Sequence, residues 1–268
     1  MMDGVTHTRL FGCHVPITSP QVLRVELDAF GAIAAQSPQL LVLFAKFGPN
    51  HPVLTNTAAA AVKQGVHPVV TLEPRVPLAE IVAGAHDLLL ARWAAALAAV
   101  GDVSLRLAHE MNGDWYPWSG TPETYVAAWR RIRGLFAILA PTVEFIWCPN
   151  RRYNAASDFL PYWPDHPYVD RLGLDAYNMG GKAVVEVLDD LQELRELAPE
   201  LPLGIIETGC NPHDDRGEWW REFWAFVDWT PVSWIVPFYG VGGSHDWRWG
   251  NDPPAVEAFR TGLRRWVG

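Results

Sequence analysis

The feature that most constrains the fold is a repeated pairing of a short apolar run with an amphipathic segment. Eight such pairs follow one another, from RLFGCHVPI with PQVLRVELDAFGAIAA to VSWIVPFYG with PPAVEAFRTGLRRWV. Apolar runs of this kind predict strands covered on both faces, and the segments between them have the period of helices. In a chain of 268 residues this order predicts an α/β fold, a single (β/α)8 TIM-barrel domain over residues 1–268, since such barrels take about 250 residues.

An open, doubly wound sheet is the alternative architecture for the same order of elements. Nucleotide-binding sheets of that class carry a GxGxxG or GxxxxGK[ST] motif after the first strand, and neither motif follows RLFGCHVPI. We therefore favour the barrel. Its eight units leave little chain for loops, which predicts an open groove at the carboxyl ends of the strands. The helical pattern is weaker in one unit, near AASDFLPYW.

The charge balance argues against polyanionic partners. The chain has 30 acidic and 21 basic residues, and its net charge of -9 repels nucleic acid and anionic membrane surfaces. No run reaches the roughly 18 apolar residues of a membrane span. Cys13, Cys148 and Cys210 lack CxxC spacing, so we expect buried thiols. We expect a monomer without a cofactor, and the cellular location is left open.

Two glutamates follow predicted strands, where the chemistry of a barrel collects. Alternation along LRLAHE and LPLGIIE turns Glu110 and Glu207 to the barrel interior, with Ala108 and Ile205 on the same inner sides. Glycoside hydrolysis requires two carboxyl groups across a groove: one protonates the leaving oxygen, and the other attacks the anomeric carbon or activates water. A lone glutamate at a strand end is as often a solvated loop residue, so the pair carries the prediction.

Two patterns could instead hold a metal ion. HEMNG begins like the HExxH zinc motif, but Gly113 stands where the second histidine is required. NPHDDRG, residues 211–217, groups a histidine with two aspartates, although an Asp-rich turn before a helix is commonly a cap. Cys13 and His14 are neighbours on a strand and point to opposite faces, which argues against a thiol–imidazole pair. We expect no metal site.

Four sequence blocks resemble glycoside hydrolase family 26. They are HEMNGDWYPW, which begins at His109, VDRLGLDAYN on strand six, IETG around Glu207, and HDWRW after strand eight. The first block is long and specific. The resemblance implies a (β/α)8 barrel and a retaining β-glycanase of clan A, with Glu110 as general acid/base and Glu207 as nucleophile.

The resemblance also implies roles for two further residues and a range of substrates. His109 would contact the sugar beside the acid, and Tyr177 would donate a hydrogen bond to the nucleophile. Known members are mainly endo-β-1,4-mannanases, with mixed-linkage β-glucanases and β-1,3-xylanases beside them. HPVVTLEPR has the Glu-Pro of the family but lacks the tryptophan often found before it, so residues of the negative subsites are not carried over.

Aromatic and amide side chains around the two glutamates are candidates for sugar binding. Rings suit the apolar faces of sugars, and amides suit their hydroxyl groups. The alternative is a packed rim for the rings and a turn role for the amides. The candidates are Trp115, Tyr116, Trp118, Trp247, Asn112, Asn150 and His14.

Arg106 lies on the inner face of strand four, deeper in the barrel than Glu110. It requires an anionic partner, since a buried guanidinium keeps its charge. Alternation places Asp175 on one face of strand six with Tyr177, which makes Asp175 a candidate partner. Glu207 is the other candidate. Either pairing would support the catalytic end of the barrel.

The sequence thus predicts a retaining endo-β-glycanase that hydrolyses β-1,4-mannan-type polysaccharide or oligosaccharide. Mixed-linkage β-1,3/1,4-glucan and β-1,3-xylan are the alternative substrates. A non-catalytic carbohydrate-binding barrel is an alternative of another class, which the presence of both glutamates disfavours. Metal-assisted or phosphoryl chemistry is a third, indicated by the adjacent Arg151 and Arg152 after strand five.

Overall fold

The computed structural model describes residues 8–17, 19–53 and 55–268. Eight parallel strands form a closed barrel in chain order, and the first strand pairs with the last. They are β1 Leu10–Cys13, β2 Leu40–Phe47, β3 His67–Pro74, β4 Ser104–Leu107, β5 Glu144–Trp147, β6 Arg171–Asn178, β7 Leu203–Cys210 and β8 Trp234–Pro237. The predicted (β/α)8 barrel is confirmed.

Helices follow the strands on the outside of the barrel. They are α1 Leu23–Ala34, α2 Asn56–Lys63, α3 Leu78–Val82, α4 Asp87–Val100, α5 Pro122–Leu139, α6 Val184–Leu188, α7 Asp190–Leu197, α8 Arg216–Val227 and α9 Pro253–Val267. The helix expected near AASDFLPYW is replaced by two short 3₁₀ turns, Leu160–Tyr162 and His166–Tyr168. Prolines at 161, 164 and 167 remove the backbone donors that an α-helix would use there. Within the described ranges, no helix has the length and apolarity to cross a bilayer.

Two apolar cores position the site. The inner core fills the barrel and consists of Leu40, Val42, Val69, Ile146, Cys148, Ile206, Trp234 and Val236. Gly173 leaves room for it, because a Cβ there would lie 2.8 Å from Cys148 Sγ. The outer core packs the strands against the helices. All three cysteines are buried free thiols, as predicted.

The end of β4 departs from the predicted alternation. Regular strand ends at Leu107, and both Ala108 (φ 44°) and Glu110 (φ 53°) adopt left-handed backbone. Ala108 packs in the outer core, so its predicted inner position is wrong. Glu110 nevertheless reaches the site, because the turn redirects the chain and Glu110 N donates to Cys148 O at 2.9 Å. Backbone of this kind is costly for residues other than glycine and collects at functional sites.

A β-bulge changes the alternation in β7. The register with β6 shifts between Leu174 and Asp175, where Ile205 faces Leu174 and Glu207 faces Asp175. Ile206 is therefore the additional residue and lies in the inner core, whereas Ile205 lies in the outer core. The predicted inner position of Ile205 is wrong. The bulge brings Glu207 to the inner side, where strict alternation from Ile206 would have turned it outward.

Candidate active site

A cavity of about 750 Å³ opens at the carboxyl ends of the strands. Both Glu110 and Glu207 line it, so the two strand ends singled out from the sequence meet at one site. The wall consists of His14, Phe44, Glu110, Trp115, Tyr116, Asn150, Arg151, Tyr153, Tyr177, Met179, Glu207, Phe238, Gly242, Gly243 and Trp247. Gly242 belongs to a short hairpin that follows β8, formed by β9 Val241–Gly242 and β10 His245–Asp246.

Glu207 accepts hydrogen bonds at both carboxylate oxygens. Tyr177 Oη donates to Oε2 at 2.6 Å, and Arg106 Nη2 donates to Oε1. Burial first, and then the charge of Glu207, raise the pKa of Tyr177, so its phenol remains a donor. One cationic and one phenolic donor at the same group suit an ionised carboxylate.

Arg106 is fully buried and connects Glu207 to Asp175. Its Nη1 donates to both Asp175 oxygens at 2.8 Å, and its Nε donates to Thr71 Oγ1 at 2.8 Å. Both partners that the sequence left open for Arg106 are therefore present. The guanidinium satisfies two buried carboxylates at once, which holds strands β4, β6 and β7 together below the cavity.

Glu110 has a different environment. Trp115 Nε1 donates to its Oε2 at 2.7 Å, and the residue is 8% exposed. Burial first, and then the charge of Glu207, raise the pKa of Glu110 to about 8. A carboxyl group with this pKa carries its proton at neutral pH, which suits a general acid.

His109 lies beside Glu110 but does not line the cavity, contrary to the contact with sugar expected for it. It is 1% exposed, and its Nε2 pairs with Tyr116 Oη at 3.1 Å. Burial, and then the charges of Arg106 and Arg75, lower the pKa of His109, which keeps the imidazole neutral. His109 is thus placed to orient Tyr116, which does line the cavity.

The aromatic candidates divide into two groups. Trp115, 46% exposed, lines the cavity with Tyr116 and Trp247. Trp118 is 2% exposed and stacks on Tyr116 with ring centroids 4.2 Å apart, while its Nε1 donates to His109 O at 2.7 Å. The faces of Trp118 are packed, so the structure places this ring behind the cavity wall and not among the lining residues. It forms part of the rim that supports Tyr116.

The amide candidates also differ. Asn112 Nδ2 donates to Asn150 O at 2.7 Å and to Ser157 O at 2.8 Å, and Asn112 Oδ1 accepts from Asn150 N at 2.9 Å. Its amide holds two loops together, and Asn112 is not among the residues that line the cavity. Asn150 lines the cavity, and its Nδ2 donates to Arg151 O at 2.7 Å.

The structure also shows where His14 lies and how the groups that could hold a metal ion are used. His14 lines the cavity, and Cys13 lies in the outer core, on the opposite face as predicted. Asp215 Oδ1 accepts from Glu218 N at 2.8 Å and caps α8, which is the alternative expected for NPHDDRG. His109, Asp175 and Glu207 have potential ligand atoms within 4.8 Å of one another, but Arg106 already binds both carboxylates.

Seven residues of the wall were not among the predicted site residues. They are Phe44, Phe238, Tyr153, Met179, Arg151, Gly242 and Gly243. Phe44 continues the inner alternation of Leu40 and Val42, a signal that was available. The others follow strand ends within loops, where side-chain direction has no period.

Comparisons with known proteins concern the family and the fold of the chain. Residues 89–200 match the model of glycosyl hydrolase family 26. Endoglucanase H of Acetivibrio thermocellus is 35% identical over an alignment of 136 residues, and the match covers 46% of this chain and 15% of that protein. The chain thus spans a small part of that curated relative.

Solved structures show the same fold. A family 26 β-mannanase from Bacteroides ovatus superposes with a TM-score of 0.73 at 15% identity, over 98% of this chain and 90% of the other. A β-mannanase from a symbiotic protist of the termite Reticulitermes speratus, complexed with gluco-manno-oligosaccharide, has a TM-score of 0.68 at 17% identity, over 96% and 87%. The resemblance to glycoside hydrolase family 26 is therefore confirmed, with residues 89–200 as its matched segment on a (β/α)8 barrel.

Proposed function

We propose that the chain is one catalytic domain of a retaining endo-β-glycanase that acts on β-1,4-mannan-type polysaccharide or oligosaccharide. One observation carries the proposal: Glu110 and Glu207 line the same cavity in contrasting environments. The pKa of Glu110 is raised to about 8, whereas Glu207 accepts hydrogen bonds from a guanidinium and a phenol. An acid and an ionised nucleophile are the two groups that the retaining mechanism needs.

The first step forms a glycosyl–enzyme ester. A Glu207 oxygen attacks the anomeric carbon as the glycosidic C–O bond breaks, and the Glu110 proton passes to the leaving oxygen. Arg106 and Tyr177 orient the attacking group, since they bind its two oxygens. For this geometry we expect the two carboxyl groups to lie about 5 to 5.5 Å apart with substrate bound.

The second step releases the sugar. Glu110, now ionised, accepts a proton from water, whose oxygen attacks the anomeric carbon. The bond to Glu207 breaks, and Glu110 recovers its proton. Two displacements on opposite faces restore the original anomeric configuration.

The wall of the cavity supports a sugar polymer as the substrate. Trp115, Tyr116 and Trp247 offer rings for the apolar faces of sugars, with Asn150 and His14 as polar neighbours. The β-mannanases of matching fold favour a mannan backbone. The relative named Endoglucanase H keeps mixed-linkage β-glucan as the second candidate, with β-1,3-xylan after it.

A product profile on mannan, mixed-linkage glucan and β-1,3-xylan tests the proposal. We expect oligosaccharides of intermediate length from mannan, with the β-anomer formed first as followed by proton NMR. Release of the α-anomer would indicate an inverting enzyme. Binding to all polymers without cleavage would favour the non-catalytic carbohydrate-binding barrel. Loss of activity on chelation would favour metal-assisted hydrolysis.

A further inference from the structure

Arg151 is a buried cation in the wall of the cavity. It is 8% exposed and lies just beyond β5, beside Tyr153 and Met179 in the lining. Its backbone is held firmly: Arg151 N donates to Asp175 O at 2.8 Å, and Arg151 O accepts from Asn150 Nδ2 at 2.7 Å. The backbone of Arg151 is therefore fixed just beyond β5, in the same cavity wall as Glu110 and Glu207.

Most of the donors of this guanidinium are unused. Of its five N–H groups, one on Nε binds Tyr177 O at 3.2 Å and one on Nη1 binds Arg152 O at 3.2 Å, so three have no partner among the described residues. Both partners are neutral backbone carbonyls. Among the residues that the structure describes, no carboxylate oxygen lies within 4.0 Å of a guanidinium nitrogen of Arg151. Its charge therefore has no direct counter-ion.

The adjacent arginine shows the contrast. Arg152 binds Asp158, Asp190 and Glu193, and it does not line the cavity. Two neighbouring arginines thus differ in kind: one has carboxylate partners in the protein, and the other faces the cavity without one.

An unpaired buried cation is a costly feature that an anion relieves. Burial lowers the pKa of Arg151, and the charges of Asp189, Asp190 and Glu186 oppose this without forming an ion pair with it. A guanidinium cannot lose its proton in practice, so an anionic ligand bound in the cavity would compensate its charge directly. The hydroxyl groups of a neutral sugar can accept its hydrogen bonds but bring no charge.

We propose that Arg151 forms a subsite for a carboxylate carried by the glycan, so that the enzyme prefers a neutral backbone with scattered uronic acid groups. This inference rests on the proposed glycanase function. The substituent would lie on the β5–β6 side of the reaction centre, beside Tyr177 and Tyr153. A carboxylate fits because its two oxygens match adjacent N–H groups of a guanidinium. The net charge of -9 disfavours densely charged polymers, which restricts the substrate to sparse substitution.

The test uses galactomannan and mixed-linkage glucan lightly oxidised at C6 to carboxylates, with the methyl ester of each oxidised polymer as its neutral match. The quantity measured is the ratio of kcat/KM for the free acid to kcat/KM for the ester. For the unaltered protein we expect a ratio of about ten or more, as for a hydrogen bond between charged groups. The ratio falls as NaCl is added, because salt screens the attraction.

Variants assign the preference to one side chain. Arg151→Gln brings the ratio to about one, and Arg151→Lys leaves an intermediate ratio because it keeps the charge and loses the planar fork. Arg92→Gln, which removes an exposed arginine from α4, retains the ratio of the unaltered protein. Each ratio is taken within one variant, so a general loss of rate does not affect it.

A ratio of one or below for the unaltered protein overturns the inference, and so does an unchanged ratio in Arg151→Gln. A stronger preference for a C6-sulfated polymer overturns the assignment to a carboxylate. If Arg151→Gln fails to fold, Arg151→Lys and the salt dependence decide.

Cleavage of the ester with no preference for the acid rejects this inference and retains the proposed function. If no polymer is cleaved, the proposed function fails, and calorimetric binding of acid and ester still tests Arg151.

Discussion

The surroundings of the two catalytic candidates differ in rigidity and charge. Glu207 lies within β7, between the donors Arg106 and Tyr177, and Arg106 is itself fixed by Asp175. Glu110 lies beyond the end of β4 in left-handed backbone, and its hydrogen-bond donor is the side chain of Trp115, 46% exposed. One carboxyl group is held by the barrel interior, and the other by the rim.

The difference matches two distinct chemical tasks. A nucleophile must be ionised and aligned, which requires fixed donors at its oxygens. An acid/base must gain and lose a proton near the working pH, which requires burial without a strong cationic partner. The barrel supplies the first environment to Glu207 and the second to Glu110.

Removal of the Glu207 carboxylate is the change for which we expect the largest effect. For Glu207→Ala we expect a loss of kcat of at least about 10⁴-fold, since no nucleophile remains. Polysaccharide binding by affinity electrophoresis should persist. Added azide, which can occupy the vacated space, should yield a glycosyl azide of inverted anomeric configuration. Unaltered activity would exclude Glu207 from the chemistry.

The counterpart change at the rim is Glu110→Gln. The expected loss is about 10² to 10⁴-fold on polysaccharide, the range of general acid catalysis. In the unaltered protein, activity should fall as the pH rises through about 8, because Glu110 then loses its proton. That limb should vanish in the variant. With an aryl glycoside that has a good leaving group, the variant should form the ester at nearly the normal rate. If the variant keeps the basic limb of the pH profile, that limb belongs to a group other than Glu110.

The support of Glu207 is tested by Arg106→Met, which leaves Asp175 and Glu207 as buried like charges without their cation. We expect the free energy of unfolding to fall by about 3 to 5 kcal/mol at pH 7, measured in urea. The loss should be smaller at pH 5, because burial raises the pKa of Asp175 and its protonation relieves the repulsion. Arg92→Gln serves as the control for loss of an exposed charge. Equal losses at both pH values would contradict the assigned charge cluster.

A milder change on the same side is Tyr177→Phe, which deletes the 2.6 Å hydrogen bond to Glu207. A hydrogen bond to a charged group contributes about 1.5 to 3 kcal/mol, so kcat should fall on the order of 10- to 100-fold with KM little changed. Tyr168→Phe, outside the cavity lining, should have no such effect. A change confined to KM would indicate that Tyr177 acts on bound sugar instead.

The smallest effect is expected from Trp115→Phe, which keeps a ring at the rim and removes the donor to Glu110. The hydrogen bond from Trp115 lowers the pKa of Glu110, so its loss raises that pKa further. The basic limb of the kcat/KM profile should therefore move to higher pH. A shift to lower pH would contradict the proposed proton donor.

How far the site could be predicted depends on the residue. Tyr177 and Asp175 lie in the regular part of β6, where alternation holds, and the structure places both on the inner side. Glu110 and Glu207 line one cavity, although the intermediate positions predicted for Ala108 and Ile205 were wrong. A left-handed turn and a bulge replaced the regular geometry, and neither has a local sequence signal as clear as glycine.

Trp118 and Asn112 show a second limit. Both lie in the HEMNGDWYPW block among residues that do line the cavity, and residue type alone could not separate them. The difference arises from tertiary contacts. Tyr116 stacks on Trp118, and the amide of Asn112 donates a hydrogen bond to the backbone of Asn150, 38 residues further along the chain. Burial and long-range hydrogen bonds are not encoded in a short window of sequence.

The order and period of the apolar segments were sufficient to specify an eight-stranded barrel, because strand and helix periods and the closure of parallel sheets are local and repetitive properties. The type and position of the two glutamates were sufficient to indicate hydrolysis of a glycosidic bond. The raised pKa of Glu110, the dual pairing of Arg106 and the unpaired charge of Arg151 depended on the folded chain. They arise from distances between residues far apart in sequence, and electrostatic interactions are set by those distances and by burial.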